Sequence, residues 1–101
     1  MNENEVLLYY AQYGKIDQMA RAIEAGADIN TRDPSNRTPL HLAAMRGYQD
    51  AVAWILAMDP VIVEDAYGQK PQDLADLHGW CASANLIREH IKQAGLKALA
   101  A

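Results

Sequence analysis

The sequence predicts an all-α solenoid of three helix-turn-helix units joined by short hairpin-like turns. Three observations predict it. The chain matches itself at a step of 32–33 residues, each step ends a short apolar stripe with a glycine, and two of the stripes open on a proline. A step of 33 carries Gly14 onto Gly47, Leu7 onto Leu40, Ala11 onto Ala44, Met19 onto Val52 and Ile23 onto Leu56. A step of 32 carries Asp33 onto Asp65, Asn36 onto Gly68, Pro39 onto Pro71, Leu42 onto Leu74, Ala43 onto Ala75, Gly47 onto Gly79 and Ile55 onto Ile87, with Tyr48 falling on Trp80. Unit one covers about 2–32, unit two about 33–64, and unit three with a C-terminal cap about 65–101, all in a single domain.

The middle unit justifies its elements most fully. Thr38 has a hydroxyl that can cap a helix, and Pro39 takes the first helical position, where no amide donor is needed. Leu40, Ala43 and Ala44 form a stripe at helical spacing. Gly47 supplies the left-handed residue that ends it. A second helix buries Val52, Ile55 and Leu56, and Asp59-Pro60 stops it. Unit three repeats the plan, with Pro71 opening a helix, Gly79 closing it, and Ala84 and Ile87 on the next apolar face. Asn36 takes the turn position held by Gly68 and is expected to accept left-handed geometry.

Bulk properties exclude several functions. The 101 residues suffice to bury roughly two-thirds of the unfolded surface, and half are hydrophobic. A net charge of −4 without a basic run lacks the footprint of a nucleic-acid binder and disfavours an anionic membrane surface. Cys81 is the sole cysteine, so no intrachain disulfide and no Cys/His zinc spacing is available. The acidic start, Met1-Asn2-Glu3-Asn4-Glu5, is unlike a signal peptide. The longest apolar run, Ala51 to Met58, falls far short of the roughly 20 residues a membrane helix needs. These features predict a soluble, cytoplasmic protein with no cofactor and no metal.

The stretches "TPLHLAA", "RGY", "VAWIL" and, in unit one, "AGADIN" resemble the ankyrin repeat, whose period is 33 and whose signature is T-P-L-H-x-A. The match is specific in the middle unit. Unit one keeps the second half of the pattern, from Gly14 to Asn30. Unit three reads "KPQDLA", which looks like an ankyrin C-terminal cap. "MDPVIVED" replaces the usual Gly-Ala-Asp-x-Asn, so an irregular turn is expected there. Arg88 stands where Leu56 does and Asp76 where Ala44 does, while Tyr10 takes the Ala43 position. These exchanges suit terminal units whose outer faces meet water.

The resemblance implies that His41 bonds to the Thr38 hydroxyl and to backbone of the neighbouring turn. A catalytic histidine needs a nucleophile and an orienting acid within reach, and Thr38, the nearby hydroxyl, is committed as a cap. His41 is therefore read as structural. His78 and His90 are too isolated to form a metal set, and Cys81 is expected to be a half-buried, inert thiol. Asp73 is read as a helix-start acid and Asp76 as a solvated cap residue. No catalytic residues are assigned.

Ankyrin proteins usually bind through turn tips and the exposed side of each first helix. Carried over unit by unit, the resemblance implies a partner-binding set of Gln12 and Tyr13; Pro34, Ser35, Arg37, Met45 and Arg46; and Ala66, Tyr67, Gln69, Leu77 and His78. The set holds two Tyr, two Arg, a Met and a Leu at positions the fold is expected to leave free, and interfaces enrich Tyr, Arg and Met. The expected function is thus non-catalytic binding of another protein through a concave face, by a chain that is monomeric when free. Three other readings are compatible with the sequence: a dedicated inhibitor or immunity-type protein blocking one enzyme, a small enzyme using His41 or Cys81, and a homo-oligomer through Tyr13, Met45 and Tyr67.

Overall fold

The computed structural model describes residues 1–100, and among these every regular element is a helix. The six are α1 (Glu3–Ala11), α2 (Ile16–Glu24), α3 (Pro39–Met45), α4 (Gln49–Leu56), α5 (Pro71–Leu77) and α6 (Cys81–Ala100). They pair as α1 with α2, α3 with α4 and α5 with α6. The first helices stack α1 on α3 on α5, and α4 packs on α6.

The core follows from the stripes. Leu7, Leu40 and Leu74, one from each first helix, are buried, as are the small partners Ala11, Ala43, Ala44 and Ala75 that let neighbouring helices approach closely. Met19 in α2, Val52 and Ile55 in α4, and Ala84 and Ile87 in α6 complete the core from the second helices. Burying each of the large side chains contributes about 1.5–3 kcal/mol.

Capping chemistry sets where the helices begin. Asn2 Oδ1 accepts from the Glu5 amide at 2.8 Å to start α1. Thr38 Oγ1 accepts from the His41 amide at 3.4 Å to start α3. At α5 the equivalent residue is Lys70, which offers no side-chain acceptor; Asp73, in the His41 position, accepts from the Lys70 amide at 3.0 Å instead. Asp73 is thus the helix-start acid the sequence suggests.

Each first helix ends in the same way. The amides of Lys15, Tyr48 and Trp80 donate to the carbonyls of Tyr10, Ala43 and Ala75 at 3.1, 3.1 and 2.8 Å. The intervening Gly14, Gly47 and Gly79 carry φ values of +65°, +72° and +78°. This closure needs a left-handed residue, which is the reason for the periodic glycine. The irregular turn after α4 is present, with Asp59 at φ +52°.

The turns between helix pairs are hairpin-like without being strands. Asp33 Oδ1 accepts from the amides of Ser35 and Arg37, both at 2.9 Å, and Asn36 sits at φ +60° as expected. Asp65 Oδ1 does the same for Tyr67 and Gln69, again both at 2.9 Å. The Ala66 amide donates to the Ser35 carbonyl at 2.9 Å, tying one tip to the next. Further back, Asn30 Oδ1 accepts from the Val61 amide at 2.9 Å and locks the loop after α2 to the loop after α4.

Two expectations are corrected. Cys81 is exposed, not half-buried, because it opens α6 on the solvent side. Arg37 is not left free by the fold; Asp65 and Tyr67 engage it, as described below. No helix among the described residues is long and apolar enough to cross a membrane.

Candidate protein-binding surface

His41 is fully buried at the base of this surface. Its Nδ1 accepts from the Thr38 amide at 3.1 Å and lies 2.9 Å from the Thr38 hydroxyl, while its Nε2 lies 2.9 Å from the Gln69 carbonyl. An amide at Nδ1 and a carbonyl at Nε2 require the neutral tautomer with hydrogen on Nε2, which donates to Gln69. Burial lowers the His41 pKa, and the opposing pull of the Gln69 carbonyl and the Asp65 charge does not restore it. A neutral, fully bonded ring that fastens α3 to the next turn is a structural histidine.

Beside it, burial pushes the Asp65 carboxyl upward, but the amides of Gln69 and Tyr67 and the Arg37 guanidinium outweigh that, leaving its pKa below the usual value. Arg37 Nε donates to Asp65 Oδ2 at 3.1 Å. The guanidinium carbon also lies 5.7 Å from the centroid of the Tyr67 ring, within the range of a cation–π contact. Tyr67 itself is 71% exposed. The tip residues Pro34, Ser35, Arg37, Ala66, Tyr67 and Gln69 are therefore brought together as one ridge, with the Arg37 side chain a strut beneath Tyr67.

The remaining residues of the set lie at the C-terminal ends of the first helices: Gln12 and Tyr13 after α1, Met45 and Arg46 at the end of α3, Leu77 and His78 at the end of α5. Tyr13 and Leu77 are exposed, as are Arg46 and His78. Met45, Arg46 and His78 line an open cleft of about 550 Å³ together with Tyr48 and Trp80. Sequence reasoning missed those two aromatics as surface residues. It also missed Tyr9, which is exposed and packs edge-on against Tyr10 and Tyr13 at centroid distances of 5.1 and 5.3 Å. The signal for Tyr9 was its place one helical turn before Tyr13.

Trp80 also crosses the junction. Its Nε1 donates to the Met45 carbonyl, an otherwise unpaired group at the end of α3, at 3.1 Å. Its ring lies over Gly47, where a Cβ would collide with it, and Tyr48 covers Gly14 in the same manner. Among the described residues no three His, Cys, Asp or Glu side chains group to hold a metal. His90 reaches Asp59 at 3.2 Å, and His78 is exposed.

Stacked helix pairs, with a backbone hydrogen bond from one tip to the next and a buried T-P-L-H histidine fastened across the junction, define a helical repeat solenoid. A family model for ankyrin repeats in 3 copies matches residues 2–94, and the chain belongs to the ankyrin-repeat family. It is similar to potassium channel SKOR of Arabidopsis thaliana, 46% identical over 46 residues, which cover 46% of this chain and 6% of the channel. It is 38% identical to serine/threonine-protein kinase 12 of Arabidopsis thaliana over 69 residues, covering 64% of this chain and 14% of the kinase. Putative glutaminase 2 of Caenorhabditis elegans is 34% identical over 71 residues, covering 68% of this chain and 12% of that protein. The chain thus spans a small fraction of each relative. Ankyrin repeats are in general protein–protein interaction modules, and the family is typically non-enzymatic.

Proposed function

We propose that the chain binds another protein, without catalysis, through the ridge and helix ends on its concave side: Gln12, Tyr13, Pro34, Ser35, Met45, Arg46, Ala66, Tyr67, Leu77 and His78, with Arg37 and Gln69 as supports. The observation that carries this reading is Tyr67. A large aromatic that is 71% exposed lies against a guanidinium fixed to a buried carboxylate, a contact that restrains the ring before any partner arrives. Such a side chain loses little entropy on binding, which favours it as an anchor. With Arg37 paired to Asp65, the set contributes the charge of Arg46 and no free Asp or Glu, which supports a neutral or acidic contact on the partner and not the basic target that the chain's net charge alone would suggest.

The test is affinity capture from extracts of the source cell on the immobilised wild-type chain and on a Tyr13/Met45/Tyr67 triple-alanine variant. Proteins retained by the first and lost by the second, with the melting temperature unchanged, are the expected result. Equal retention by both would move the site to the α2, α4 and α6 side.

A further inference from the structure

Gly14, Gly47 and Gly79 end their helices with the same backbone bond and nearly the same φ, so they present three equivalent notches. Two of the notches are filled by the chain itself, Gly14 by the ring of Tyr48 and Gly47 by the ring of Trp80. At Gly79 no atom beyond its own chain neighbours lies within 4 Å of where a Cβ would stand. The second polar feature of the filled notch is present there too. Met45, whose carbonyl accepts the Trp80 indole, corresponds at the 32-residue step to Leu77. The Leu77 carbonyl receives no hydrogen bond among the described residues, and the Leu77 side chain beside it is 66% exposed.

We propose that the Gly79 notch is a binding site for an aromatic side chain of a partner protein, tryptophan above all, whose ring lies on Gly79 and whose indole N–H donates to the Leu77 carbonyl. The Trp80–Gly47 contact is the template for that geometry. Only an indole satisfies both parts of it, an apolar plate for a surface without a side chain and a ring N–H at the height of an unpaired acceptor. A second copy of this chain stacked head to tail does not supply the ring. The residue of unit one that corresponds to Tyr48 and Trp80 is Lys15. The rest of the outer end also resists a further helix pair, since Arg88 and Asp76 form an ion pair where the inner unit is apolar. The notch adjoins the proposed binding face at Leu77 and His78, but it needs neither Tyr67 nor Tyr13, so alanine at those two residues tests that face and leaves the notch intact.

The experiment is a titration of the ¹⁵N-labelled full chain with N-acetyl-tryptophanamide, followed by amide and glycine Hα shifts, with N-acetyl-leucinamide as the control. Saturable shifts centred on His78 and Gly79, with the Gly79 Hα moved upfield by the ring current and no such response to the leucine compound, are the expected result. A Gly79→Asn variant places a side chain in the notch while keeping the backbone accessible, as Asn36 at φ +60° demonstrates. It should weaken the response about tenfold or more, with the dispersion of the remaining spectrum retained. Linear, non-saturating shifts, an equal response to the leucine compound, or shifts centred on Tyr48 and Met45 would each overturn the assignment. So would concentration-dependent self-association that perturbs Gly79 without any added compound.

Discussion

The Arg88 guanidinium donates to the Asp76 carboxylate, so the two charged residues that replace Leu56 and Ala44 in the last helix pair are partners of each other. Arg88 replaces the position of Leu56 and Asp76 that of Ala44, and each leaves the other less free to be changed alone. Both are about half exposed, so the bond itself contributes no more than about 1 kcal/mol. Its larger effect is on what the outer face can attach to.

Arg88→Leu alone should therefore leave Asp76 as a guard, with only weak self-association. Asp76→Ala/Arg88→Leu rebuilds the apolar face of an inner unit and should give concentration-dependent dimers in sedimentation velocity. A monomeric double variant would show that the outer turns of α6 shield the face without the ion pair.

His41 makes stability depend on pH. Its folded pKa lies below the ordinary 6.5 because burial disfavours the charged ring. The unfolded chain then binds the proton more readily, so stability is full above about pH 6.5 and is lost as pH falls below it. Asp65, whose folded pKa is also depressed, contributes stability that is present above its unfolded value of 3.8 and lost as pH falls through its lower folded value. Urea midpoints between pH 8 and 3 should show two successive losses, and His41→Ala should abolish the first. That variant should also cost about 1–3 kcal/mol at pH 7, since it leaves the Thr38 amide and the Gln69 carbonyl without partners.

Gly47→Ala and Gly79→Ala separate backbone strain from collision. Both place a Cβ at positive φ, worth about 1–2 kcal/mol. At Gly47 the Cβ also meets the Trp80 ring, which should add about 1–3 kcal/mol. Denaturant unfolding should rank Gly47→Ala well below Gly79→Ala, and the tryptophan emission should shift only in the former. Equal losses would mean that Trp80 swings aside at no cost.

On the proposed binding face, Tyr13, Arg46 and Tyr67 should tolerate alanine within about 0.5 kcal/mol of folding stability. Arg37→Ala should cost about 1–2 kcal/mol, since Asp65 loses a charge-assisted hydrogen bond. Trp54→Ala, which strips a partly buried ring from the core, should likewise lower stability first. With a partner in hand, Tyr67→Ala should lose on the order of 2 kcal/mol of binding, roughly thirtyfold. Thermal melts and calorimetry on the same variants check both halves.

The helices, their starts and their glycine ends were legible because they rest on local chemistry: Pro39 at a first position, Thr38 as a cap, Gly47 and Asn36 at positive φ. His41 was legible through the resemblance, down to its partner in the next turn. The Arg37–Asp65–Tyr67 cluster was not, since residues 28 and 30 positions apart meet only when two tips lie side by side. Asp76 and Arg88 were each read as solvated because the repeat comparison takes positions one at a time. Two opposite charges replacing two apolar neighbours was the available signal. The use of the Trp80 indole was hidden for a similar reason, because a pattern of apolar positions carries no record of which ring edge bears a donor.

The bonds that cross each junction have a kinetic consequence. His41 finds its acceptor on Gln69, the Met45 carbonyl its donor on Trp80, and Asn30 its donor at Val61. Of these three bonds the His41 one is buried, so opening the third helix pair strands the His41 ring in the second, while the other two tie the junctions at their exposed edges. Amide hydrogens of α3 should then exchange with solvent only in openings that also release α5, with a shared denaturant dependence across both helices. Such a chain melts as one event despite its repeated plan, and a fragment ending between α4 and α5 should be a fluctuating coil rather than a shorter version of the fold.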